Sequence, residues 1–156
     1  MEVVSIEGYN ESGIGTIMRL AICIRPRAGS SDIDLGQAVI EISDSDTKNF
    51  LVCDSGRYTA QASIDGDLFA DAFYSGGATN FSIIVLSDPD GSCSSGTSPV
   101  INSGDYVVLG VNTTACFSGL SPRDDVWGLV IPEEGSPGVM NFKCPPSYTD
   151  VILELQ

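Results

Sequence analysis

A chain of 156 residues with 21 acidic against 7 basic side chains, no histidine and a pI near 4.1 is repelled by phosphate backbones and anionic lipid surfaces, which excludes nucleic-acid binding. Without histidine it also lacks the commonest general base, the usual zinc ligand and the physiological-pH switch. The length suits one domain, 1–156, with its own core, yet only 18% of residues are charged against about 25% in an ordinary soluble domain, so the surface is either sparsely charged or covered.

The chain opens Glu2-Val3-Val4 as a strand does. From Thr16 to Arg25 the even positions Met18, Leu20, Ile22 and Ile24 are apolar, the period-two pattern of a half-buried strand. Comparable runs follow at Gln37–Ile42, Asn49–Cys53, Arg57–Ile64, Leu68–Tyr74, Phe81–Leu86, Tyr106–Asn112, Val126–Ile131, Val139–Lys143 and Val151–Leu155. Clusters of Gly, Pro, Asp, Asn and Ser separate them, for example Pro26–Ser31, Asp88–Ser98 and Pro132–Gly138. Strands at this spacing predict an all-β fold, an antiparallel β-sandwich (immunoglobulin-like) or flattened barrel of about nine to ten short strands. No apolar run approaches the ~20 residues of a membrane helix, and no basic stretch followed by an apolar one opens the chain, so neither a membrane span nor a secretory leader is expected within it.

The lone tryptophan, Trp127, either anchors the core or faces a partner; core packing is the reading taken. Five cysteines, Cys23, Cys53, Cys93, Cys116 and Cys144, form no C-x-x-C pair, which argues against zinc and redox motifs and leaves buried thiols or one or two bridges.

The loop Ser87-Asp88-Pro89-Asp90-Gly91-Ser92-Cys93 places carboxylates at alternate positions before a glycine turn and a hydroxyl. A short loop surrounds a hard divalent cation, calcium above all, in this way. Asp88, Asp90, Ser92 and Cys93 are the candidate ligands, with Asp105 closing the site from the next strand; the competing reading is an ordinary Asp-Pro-Asp-Gly turn. Asn10, Asn80 and Asn112 each begin an Asn-x-Ser/Thr acceptor for N-glycans, which would solubilise a charge-poor surface; the alternative is turn asparagines. Cys53-Asp54-Ser55-Gly56 is similar to half of an aspartic protease site, but Arg57 stands where a small residue is needed, so a strand-end turn is expected. No nucleophile elbow or phosphate loop occurs, and no enzyme is expected.

Read together, Ile24-Arg25-Pro26-Arg27-Ala28-Gly29-Ser30 with Ile33-Asp34-Leu35, Val85–Asp90, Pro99–Asp105, Leu120-Ser121-Pro122-Arg123, Val130-Ile131-Pro132-Glu133, Gly135-Ser136-Pro137-Gly138 and Pro146-Ser147-Tyr148 resemble an archaellin, the subunit of the archaeal swimming filament. The resemblance covers most of residues 16–156. It implies an outer β-sandwich without the N-terminal hydrophobic helix that bundles in the filament core, extracellular at the cell surface and commonly N-glycosylated. A metal ion in the outer domain and polymerisation with other archaellin subunits are implied as well. Glu134, Trp127 and Cys144 depart from the residues that family favours. A carbohydrate-binding or adhesive β-sandwich module is the competing class.

Overall fold

The computed structural model describes residues 1–11, 14–60, 63 and 65–156. In chain order it contains β1 (Glu2–Asn10), β2 (Ile17–Arg25), β3 (Ile33–Asp34), β4 (Val39–Ser43), β5 (Lys48–Ala60), the one-turn helix α1 (Asp71–Tyr74), β6 (Asn80–Ser87), β7 (Cys93–Ser95), β8 (Ser98–Ile101), β9 (Tyr106–Asn112), the short helix α2 (Thr113–Phe117), β10 (Asp125–Ile131), β11 (Gly138–Lys143) and β12 (Ile152–Glu154). Nine strands form one sheet in the order β11-β10-β4-β5-β6-β9-β2-β1-β12, and β3-β8-β7 form a small second one. The all-β expectation holds. Pairing is antiparallel except between β5 and β6, because the strands expected at Asn49–Cys53 and Arg57–Ile64 are joined in one. β5 pairs with β4 through Val52 and then runs beside β6. Residues 61, 62 and 64 of the expected second strand lie outside the described residues.

The sheet curls until the inner faces of its halves meet. Ile6, Leu20, Ile22, Ile24 and Leu109 share one core with Ile40, Ile42, Val126, Val130 and Met140, each side chain contributing about 1.5–3 kcal/mol on burial. Closure is completed at the edge of β11, where the Asn141 N–H donates to Gln156 Oε1 at 2.8 Å and Gln156 Nε2 donates to the Val139 carbonyl at 3.2 Å. A side-chain amide thus occupies hydrogen-bonding groups that an open edge would offer to another chain.

Three expectations are revised. Leu68–Tyr74 is not a strand. The segment folds over the outer face of β2-β9-β6, ends in α1, and packs Phe69 and Tyr74 on Ala21, Ile84 and Val108. Arg19 fixes it, donating to the Phe69 carbonyl and pairing with Asp71 while its guanidinium lies over the Tyr9 and Tyr74 rings. Gly110 is required below this cover, since a Cβ there would sit 2.3 Å from Ser82 Oγ and 3.2 Å from the Tyr74 ring. Trp127 is not a core anchor: Val126, Gly128 and Val130 point inward, which leaves Trp127 on the outer face, 43% exposed. Asp54–Gly56 is an irregularity within β5 rather than a strand end. Asp54 accepts the Gly56 N–H at 3.0 Å and is paired with Arg57, so its carboxylate is committed to structure.

Candidate functional site

Two turns bring the acidic residues together. β6 ends at Ser87 and the chain reverses through Asp88–Ser92 into β7; β8 ends at Ile101 and reverses through Asn102–Asp105 into β9. Gly91 and Gly104 take φ of +75° and +106° in these turns, conformations that a side chain would strain. Asp88, Asp90 and Asp105 each present a carboxylate oxygen within 4.8 Å of the others, and they are the one such acidic group among the described residues.

Hydrogen bonds hold most of these oxygens. The Ser92 N–H donates to Asp88 Oδ1 and Asp90 Oδ1, both at 3.0 Å, and the Cys93 N–H donates to Asp88 Oδ2 at 3.1 Å. Asp105 Oδ2 accepts from the Asn102 N–H at 2.8 Å and from Ser92 Oγ at 3.3 Å. The Asn102 amide donates to Asp90 Oδ2 at 2.7 Å and to Ser92 Oγ at 3.1 Å, which ties the turns together. The Asn102 amide, with the Ser92 N–H and hydroxyl, lowers the Asp90 carboxyl to about 2. One oxygen has nothing. Asp105 is 1% exposed, and its Oδ1 is buried without a hydrogen-bond partner.

A cation fits this arrangement. A buried carboxylate oxygen is costly unless something satisfies it, and the neighbouring groups are oxygen donors of the kind hard cations take. Ligands at 2.3–2.6 Å around calcium lie at most about 5 Å apart, a limit that the three carboxylates, within 4.8 Å of one another, satisfy. Of the candidate ligands, Asp88, Asp90 and Asp105 lie together, with Ser92 hydrogen-bonded among them. Cys93 enters through its backbone N–H, while its side chain packs in the core and burial pushes the thiol up to about 12, so it offers no thiolate. Asn102 is the member that sequence reasoning misses. Its signal is an Asn three residues before Asp105, a spacing at which a turn lets the Asp carboxylate accept the Asn N–H.

The three glycan acceptors differ. Asn10 is 6% exposed at the end of β1, and Ser12 of its motif lies outside the described residues. Asn112 caps α2 by accepting the Ala115 N–H at 3.1 Å, and its Nδ2 donates to the Tyr74 and Gly76 carbonyls at 2.6 and 3.0 Å. Asn80 opens β6, half-buried, and accepts from Thr79 Oγ1 at 3.0 Å. All five cysteines are free, and burial raises every thiol, Cys116 to about 11. No described helix is long and apolar enough to cross a membrane.

A curled sheet of nine strands carries a cluster of carboxylates tied together by backbone and side-chain amides, and the comparisons with known proteins define its class. The archaeal-type flagellin family model matches residues 1–142. Flagellin B2 of Methanocaldococcus jannaschii is 45% identical over 88% of this chain, and Flagellin B3 of the same organism is 32% identical over all of it. The chain spans 64% and 72% of their respective lengths. It superposes on the crystal structure of archaeal flagellin FlaB1 from M. jannaschii with a TM-score of 0.88 at 32% identity, covering 99% of this chain and 95% of that one. The archaeal flagellum of Methanospirillum hungatei shares the fold, with a TM-score of 0.56 at 12% identity over 97% of this chain and 66% of that one. The chain belongs to the archaeal-type flagellin family. Members of that family are structural proteins of the extracellular filament at the cell surface, not enzymes.

Proposed function

We propose that this chain is the outer domain of a subunit of the archaeal motility filament, forming its surface and contacting neighbouring flagellin subunits. The observation that carries the reading is the correspondence with FlaB1 over nearly the whole of both chains. Identical subunits in head-to-tail contact generate an open helical array without catalysis. The test is mass spectrometry of filaments sheared from cells and purified. Peptides of this chain are expected in the filament fraction; their confinement to the cell body overturns the assignment.

Within that role, Asp88, Asp90 and Asp105 hold a calcium ion, with Ser92 beside them. A bound cation supplies positive charge to three clustered carboxylates and gives Asp105 Oδ1 its partner. It thereby joins the β6–β7 turn to the β8–β9 turn more firmly than the Asn102 amide does alone. Asn80 is the acceptor for an N-glycan, because its amide nitrogen carries no hydrogen bond on which the fold depends, whereas that of Asn112 holds the 74–76 backbone.

A further inference from the structure

The outer face of the sheet divides into two parts. Phe69 and Tyr74 cover β2-β9-β6, whereas among the described residues the outer face of β4, β10, β11 and the first half of β5 keeps Phe50, Val52, Trp127, Ile131 and Val139 exposed. Strand registers align Phe50, Glu41, Leu129 and Val139 in one row across that second part. Trp127 stands in the row on one side, Val52 and Ile131 in the row on the other. Phe50 is 55% exposed and Val139 57%. Five of the nine exposed large hydrophobics among the described residues, Phe50, Val52, Trp127, Ile131 and Val139, share this face. Singly exposed apolar residues are ordinary, but a contiguous patch marks a contact surface.

Charge selects the partner. At a net charge of -14, two copies of this chain repel each other over most of their surfaces. On this face Lys48 is paired with Glu41 and Lys143 with Asp125, so two cations and two carboxylates sum to zero. The unbalanced carboxylates lie elsewhere, including Asp44, Asp46, Glu133 and Glu134 in the turns at the ends of these strands. On the strands of this face a second, equally acidic copy therefore meets little repulsion, and contact there buries exposed apolar side chains. An apolar centre with a charged rim is the ordinary anatomy of a protein contact, and Trp127 with Phe50 supplies aromatic anchors.

We infer that this face packs against a second copy of the chain, a contact that rests on the filament reading above and names the surface that makes it. Asn80 pairs with Val52, so an N-glycan there sits at the β6 corner of the patch, with the Leu129 and Val139 end of the row on strands farther away.

Sedimentation velocity from micromolar to millimolar concentration tests the contact, with Trp127 emission recorded on the same samples. The chain is expected to associate reversibly, to do so still in molar salt, and to shift its emission to shorter wavelength. Phe50→Asp with Val139→Asp is expected to weaken association at least tenfold, with far-UV circular dichroism and melting unchanged. If the pair of substitutions perturbs folding, Val139→Lys at the exposed end of the row replaces it. A wild-type chain that stays monomeric throughout, or a folded variant that associates equally well, overturns the contact. An oligosaccharide that shifts Trp127 emission in a persistently monomeric chain assigns the face to a glycan instead. Electron microscopy of the polypeptide as encoded separates this contact from the filament reading. Unaltered filaments from the folded variant remove the contact and leave the subunit assignment standing, whereas filaments that exclude the wild-type chain remove the assignment itself.

Discussion

Asp105 accepts the backbone N–H of Asn102 at 2.8 Å through one carboxylate oxygen and leaves the other buried without a partner. The asymmetry makes calcium dependence the first prediction. Adding calcium to chelator-treated protein at a hundred times its Kd should stabilise the fold by about 2.7 kcal/mol, which raises Tm by about 5–10 °C for a domain of this size. Asp105→Asn keeps an acceptor for Asn102 and should lose most of that response, while melting at least as high as the parent in chelator. Scanning calorimetry of the four samples decides it; a parent Tm indifferent to calcium contradicts the site.

A second prediction concerns acid. The Asn102 amide, joined by Ser92, lowers the Asp90 carboxyl from 3.8 to about 2. A lowered folded-state pKa contributes stability that is fully present above the unfolded value and is lost as pH falls through the folded one. The contribution of Asp90 therefore disappears between about pH 4 and pH 2. Carboxyl-carbon NMR titration should report the lowered pKa, and Asn102→Ala should return it toward 3.8. An Asp90 titration unmoved by that substitution would contradict the network.

The cover over β2-β9-β6 makes a third prediction. Ser82 Oγ is buried without a hydrogen-bond partner, so Ser82→Ala should be neutral or stabilising by about 1 kcal/mol in urea denaturation. Gly110→Ala should cost about 1–3 kcal/mol from overpacking, because the new Cβ meets Ser82 Oγ at 2.3 Å. Combining the two should recover part of the loss, the remainder belonging to the Tyr74 ring. Strict additivity would show that Ser82 is not the obstacle.

The glycan acceptors give a fourth. Glycopeptide mass spectrometry of the natural protein should find the modification at Asn80. Asn112→Ala should cost about 2–3 kcal/mol from the lost cap and its two cross-links to 74 and 76, visible in thermal unfolding of unglycosylated protein. Full occupancy at Asn112 with a bare Asn80 would reverse the ranking.

Period-two alternation made most of the sheet readable, because β10 and β11 each bury one face and expose the other. It failed at Leu68–Tyr74, where Phe69, Phe73 and Tyr74 serve a cover held by Arg19, a contact 50 residues away in the chain. It was ambiguous at Trp127, since alternation gives two faces but not which one is inner; the neighbouring Gly128, pressed against Glu41 and Met140, carried that information. The acidic turns were legible as a pair because Asp88, Asp90 and Asp105 are the residue types a cation requires. Asn102 was not, because its role is to bond Asp90 across a gap of 12 residues that local pattern does not register. The parallel β5–β6 pair was equally hidden, since nothing in Asn49–Arg57 reveals that one strand continues where two were expected.

Cryo-electron microscopy of filaments from cells producing the chain tests most directly whether this domain forms the outer surface of a filament. The expected result is outward density that the curled nine-stranded sheet fits, with the side chains of Phe50, Trp127 and Val139 resolved against a neighbouring subunit. Filaments whose outer density fits only other flagellins, with this chain absent, would contradict it.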